Sequence, residues 1–137
     1  MPAVTRWFIK SSLVYLAVAL AFALWLAGQS IGFAVVPGLS PVFFHFFLVG
    51  WVTQMIMGVG YWFFPKYSPE QPRRSERLGW AVFGLLNAGL LLRGLAEPLF
   101  SSNAAATWRT ALVVSAVLQW LAGLLFVVNT WERIKER

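Results

Sequence analysis

The stretch "FFHFFLVGWVTQMIMGVGYWFFP", Phe43 to Pro65, decides the fold. A helix needs about 20 residues to cross the hydrocarbon core of a bilayer, and this run is long enough. Its apolar residues follow one another without the alternation of a barrel strand, so the backbone must satisfy its own polar groups as a helix. Similar stretches cover roughly 7–29, 78–99 and 106–128, and this one belongs to a run over 41–65. The chain has 137 residues, of which 59% are hydrophobic and only 12% charged. That is too little charge to clothe a water-soluble domain of this length. The sequence therefore predicts an all-α membrane protein in a lipid bilayer. It forms one domain, 1–137, with four transmembrane helices in an up-down-up-down bundle.

The net charge of +6 does not point to nucleic acid, because of where the charges fall. Arg6 and Lys10 precede or open the first stretch; Lys66, Arg73, Arg74 and Arg77 lie between the second and third; Arg133, Lys135 and Arg137 follow the fourth. Four crossings gather all of these on one face, which the positive-inside rule makes cytoplasmic, with both termini there. Arg93 and Arg109 remain, in or beside the outer half. Trp7, Trp62, Trp80 and Trp131 mark the inner boundary, and Trp25 and Trp108 the outer one. The first apolar run is longer than a signal-peptide core and lacks a small-x-small cleavage site, so it is expected to stay as a helix. With no cysteine, thiolate ligands and disulfides are excluded.

Local signals punctuate the spans. Ser40-Pro41 reads as a cap followed by proline at the first helical position. Ser75 and Asn103 read as caps of the third and fourth helices, and the fourth is expected to run on into "WERIKER". The outer loop "SIGFAVVPGLS" is uncharged, which suits the membrane surface or a partner. Gly50, Gln54 and Gly58 share a stripe of the second helix, with Met57 and Tyr61 alongside; small residues at this spacing admit a neighbouring backbone, and a buried amide bonds across helices. Gly84, Gly89 and Gly94 are expected to do similar work in the third helix, and Asn87 and Gln119 to serve packing.

His45, the one histidine, lies about one turn inside the outer end of its helix. Helical rotation places Val49, Val52, Thr53, Ile56 and Gly60 on its face and Gln54 opposite. Its plainest use is a bond to a carbonyl. Arg93 comes within a turn of the same depth, where an arginine is costly and normally paired. Glu97, four residues on, can supply that partner. Arg109 adds a further outer cation. An imidazole with outer-side arginines suits a haem whose iron takes the ring nitrogen and whose propionates meet guanidinium groups.

The run "HFFLVGWVTQMIMGVGYWFFPK" resembles the second helix of the haem–copper oxidase catalytic subunit, in its cbb-type and nitric-oxide-reductase branch. The course G-W-V-x-x-x-I-M-G-V-x-Y-W-x-x-P-K looks like the short four-helix bacterial relatives of that subunit. "LGWAVFGLLNAGLLLRGLAEP" and "LQWLAGLLFVVNTWERIKER" are similar to their third and fourth helices. The resemblance implies a bacterial inner membrane, a haem b, and His45 as an axial ligand, hence the metal ligand. It covers nearly the whole chain but only about a third of a full oxidase subunit, and the other histidines and the crosslinked tyrosine of the oxidase site have no counterpart. The chain alone is not a complete oxidase. Met55 and Met57 lie roughly 15–18 Å deeper by helical rise, so neither completes His45's iron.

The expectation is a small b-type haem protein of electron transfer or diatomic-gas binding, with His45 on iron and Arg93 or Arg109 towards the propionates. A homo-oligomer or a larger membrane complex would complete the coordination. The alternative is a non-catalytic accessory subunit of a larger respiratory assembly. A transporter fits less well, since only Gln54, Asn87 and Gln119 reach mid-membrane and none is charged.

Overall fold

The computed structural model describes residues 1–72 and 74–134. Helix α1 covers Ala3–Gly28 and tightens into a 3-10 turn at Gln29–Ile31. Helix α2 spans Leu39–Phe63, α3 Glu76–Ser102, and α4 Ala106–Thr130, closing in a 3-10 turn at Trp131–Arg133. No strand occurs among the described residues. All four helices are long and apolar enough to cross a membrane. Large apolar side chains such as Leu24, Ile56, Phe63 and Leu95 stand exposed along them, an arrangement that lipid covers. Helices α1, α3 and α4 overrun their apolar stretches, because turns at the interface keep their backbone bonds after hydropathy has fallen, whereas α2 starts ahead of its stretch and ends at Phe63, short of Pro65.

Ser75 caps α3 as the sequence predicts, its Oγ accepting from the Leu78 N–H at 3.2 Å. Two other cap expectations fail. Helix α2 starts at Leu39, and its N-cap is Gly38 with φ 73°, so Ser40 and Pro41 lie inside the first turn. Gly38 is needed there because a Cβ would come within 2.7 Å of the Glu97 carbonyl oxygen on α3. Asn103 closes α3 instead of opening α4: its N–H donates to the Leu99 carbonyl at 2.9 Å, and α4 begins after Ala105 without a side-chain cap. The expected run of α4 into "WERIKER" also stops early, since Ile134 leaves the helix and 135–137 lie outside the described residues.

The glycine stripe of α2 faces α1. A Cβ on Gly50 would stand 2.6 Å from the Tyr15 ring, and one on Gly58 2.7 Å from Phe8 Cβ. Phe8 in turn meets Tyr61, and Tyr15 meets Phe46 edge-on, so contacts between α1 and α2 run in opposite sequence directions. The same holds for α2 against α3, where Phe46 covers Gly94 and Gln54 reaches Asn87. It holds again for α3 against α4, where the Ser75 carbonyl accepts from Asn129 and the Gly89 carbonyl from Ser115. Phe8, Tyr61, Val82, Leu86 and Leu90 form the heart of the core. Helix α4 packs along α3 and is the most peripheral: 11% of its apolar window is buried, against 33% for α2.

Replacing Gly58 by valine should cost about 1–3 kcal/mol, because the atom in the way is Phe8 Cβ, which moves only with the α1 backbone. Gly84→Val should cost far less, since nothing lies within 4 Å of a Cβ there, contrary to the expected role of Gly84 in packing. Melting of the two variants in detergent compares them directly.

Among the polar side chains, Gln54 Nε2 donates to Asn87 Oδ1 at 3.4 Å, and Asn87 Nδ2 to the Phe83 carbonyl at 2.8 Å. Gln119 packs its Cγ against Gly89 of α3, as expected, but its amide stays on its own helix. It bonds Ser115 on its own helix at 3.0 Å, and the cross-helix bond is made by Ser115 Oγ to the Gly89 carbonyl at 2.8 Å.

Candidate functional site

His45 opens a segment in which α2 changes its winding. From His45 to Thr53 the backbone is a π-helix, with its bonds spanning five residues. Thr53 Oγ1 adds a bond to the Leu48 carbonyl, five residues back, at 2.9 Å. Such segments are rare and recur at functional sites. The wider turn also displaces the face drawn from α-helical rotation, because each π turn carries an extra residue. Val52, seven residues on, therefore swings off the row it would share with His45 in a regular helix, while Val49 stays near it.

The imidazole is half-buried and folds back along its own helix, with Nδ1 2.9 Å from the Pro41 carbonyl oxygen. A carbonyl only accepts, so Nδ1 carries the hydrogen. In the neutral ring the lone pair then sits on Nε2. Proline suits this position twice over: it lies in the first turn, where its missing N–H costs nothing, and its carbonyl orients the ring. The bond satisfies one nitrogen of the ring by local means. It is also the bond that commonly holds a metal-binding histidine in its tautomer.

Arg93 is brought to the same level. Phe46, the residue after His45, lies over Gly94, the residue after Arg93. Arg93 Nε pairs with Glu97 Oε2 at 2.7 Å, the i to i+4 partner read from the sequence, and both side chains are largely shielded. The terminal nitrogens of Arg93 make no further bond among the described residues, so the guanidinium keeps donors for a second carboxylate. Arg109 stands apart. It is exposed in the first turn of α4, and no side-chain bond joins it to His45 or Arg93.

For a haem, the residues fit in part. One oriented imidazole lone pair and one arginine with unused donors lie at a common depth. A cavity of about 270 Å³ opens between α1 and α3 beside them, but its wall includes Phe46, Tyr15 and Asn87 and not His45. No group of three or more His, Cys, Asp or Glu side chains that could hold a bare metal ion occurs among the described residues. No family model, curated protein or solved structure matches the chain.

The opposite end of the bundle holds a residue that sequence reasoning placed only as an inner-face charge. Arg133 is 2% exposed. Its Nη2 donates to the Tyr61 and Phe64 carbonyls at 3.1 and 2.8 Å, and its Nε to the Pro65 carbonyl at 3.0 Å. The Tyr61 carbonyl would normally take the N–H of the residue four places on, but that residue is Pro65, which has none. Arg133 supplies the missing donor from the far end of the chain, and its charge suits the negative end of a helix. The signal was Pro65 itself, which promises an orphan carbonyl but does not name the donor. Arg74 also reaches α4, donating to the Val128 carbonyl and pairing with Glu132 at 3.3 Å. The loop before α3 is thereby tied to the end of α4.

Proposed function

We propose that the protein is a small integral-membrane b-type haem protein in which His45 Nε2 is an axial ligand, serving electron transfer or diatomic-gas binding. The observation that carries this reading is the Nδ1–H bond from His45 to the Pro41 carbonyl, which leaves the other ring nitrogen oriented and open to a ligand. The resemblance of the His45–Lys66 run to the haem-bearing helix of the oxidases supports it. Bound haem would supply a redox-active iron; the chain's own part is to orient the imidazole and offer Arg93 to a carboxylate, on a helix segment whose neighbouring rings, Phe43 with Phe44 and Phe47, touch one another. One chain offers one such ligand, so the coordination is shared with a second copy or a larger membrane complex, or stays five-coordinate. The test is the visible spectrum of purified protein, oxidised and reduced, after expression with ample haem.

The second reading is an accessory subunit without a cofactor of its own. It is favoured by the Arg93–Glu97 pair and by the carbonyl bond of His45, which give each residue a partner on its own helix.

Either reading is proposed in the same frame, an up-down-up-down bundle with both termini cytoplasmic, which the positive-inside rule supports, in a bacterial inner membrane, which the resemblance supports. A periplasmic reporter fused after Arg137 should stay silent, and one inserted in the loop after Ile31 should be active. The reverse pattern would overturn this orientation.

A further inference from the structure

Beside the Arg133 latch lies a cavity of about 220 Å³, walled by Pro2, Trp62, Phe64, Lys66, Pro72 and Arg133 among others. Two of these side chains are cations, and no carboxylate belongs to the lining among the described residues. Lys66 is exposed and makes no side-chain hydrogen bond or ion pair among the described residues, so its ammonium is uncommitted. Arg133 is the opposite case, a guanidinium fixed by three carbonyls. Those carbonyls, at a helix C-terminus, offset part of its charge, which leaves Lys66 as the main attraction for an anion among the described side chains of the wall. Trp62 stands 58% exposed at the end of the apolar span, where an indole sits at the depth of lipid headgroups.

We propose that this cavity binds the phosphate of an anionic phospholipid. A mobile ammonium beside a fixed guanidinium suits a phosphate oxyanion. The indole, phenyl and proline surfaces of the wall suit the glycerol and the first methylenes of a lipid, which a free phosphate would leave uncovered. The proposal rests on the bilayer environment of the four helices and is independent of any haem.

The experiment uses the full chain in a non-ionic detergent, given equal amounts of phosphatidylglycerol and phosphatidylcholine with the same acyl chains. Retained lipid is counted by native mass spectrometry. Phosphatidylglycerol should be retained about fivefold over phosphatidylcholine, the order expected for one basic side chain at a membrane surface. Lys66→Ala, at an exposed position where folding is undisturbed, should remove most of that preference. Arg77→Ala subtracts the same charge on the same face outside the cavity and should leave it intact. Inorganic phosphate should fail to displace the lipid at matched concentration; displacement would make free phosphate the occupant of the site. Equal retention of the two lipids by the unaltered protein, or equal loss of preference in both variants, would overturn the proposal in favour of diffuse surface charge.

Discussion

Arg133→Ala should lower stability by about 3 kcal/mol, the largest effect of any single substitution outside the packed core. The change strips donors from the Tyr61, Phe64 and Pro65 carbonyls at once and leaves space where a buried guanidinium lay. Each charged hydrogen bond is worth about 1.5–3 kcal/mol, but the three do not add, because water at the interface replaces part of what is lost. The measurement is the apparent melting temperature in detergent, where a fall of roughly 10 °C is expected. Arg133→Lys separates charge from geometry. A lysine keeps the cation near the helix end but lacks the planar fork that spans several carbonyls, so it should recover only part of the loss. An unchanged melting temperature for the alanine variant would show that solvent satisfies these carbonyls unaided.

His45→Ala should abolish the Soret band expected of the haem-loaded protein, because no other side chain at that depth can replace the ligand. Removing even an outer partner of a metal ligand costs about 10–100-fold in affinity, and removing the ligand itself costs more. Loss of colour alone would not separate ligation from folding, so the informative variant is His45→Gly with imidazole added to the buffer. Free imidazole that restores the band, with helix content unchanged by circular dichroism, assigns iron ligation to this position. The stoichiometry then tells how one ligand is used. An iron shared between two copies predicts about one haem per two chains, a low-spin ferric form and no response to carbon monoxide. A haem held by each chain alone predicts one per chain and a ferrous band that carbon monoxide shifts at once. A protein that stays colourless with haem in excess would favour the accessory-subunit reading.

The number and placement of the spans were legible in the sequence because transfer into lipid adds up along the chain, residue by residue. The Ser75 cap and the Arg93–Glu97 pair were legible because both are local, the partners lying within one helical turn. The stripe of Gly50 and Gly58 told that a neighbour approaches, and α1 is that neighbour, with Tyr15 and Phe8 at the contacts. Other features had no local cause to read. Gly38 starts α2 in place of Ser40 because of a carbonyl on α3, and Gly84 lost its expected role because no helix covers it. The π winding after His45 alters which residues share its face, and no propensity of these side chains foretells it. Arg109 has no side-chain bond to His45 or Arg93, and its helix packs along α3, with Ser115 bonded to Gly89. Arg133 meets Tyr61 across 72 residues of chain. Hydropathy and helical spacing are properties of neighbouring residues, so the sequence by itself determined the four membrane helices and their inner pairs. Which helices touch, and which donors reach which orphan carbonyls, depends on atoms far apart in the chain, and only the tertiary structure decided that.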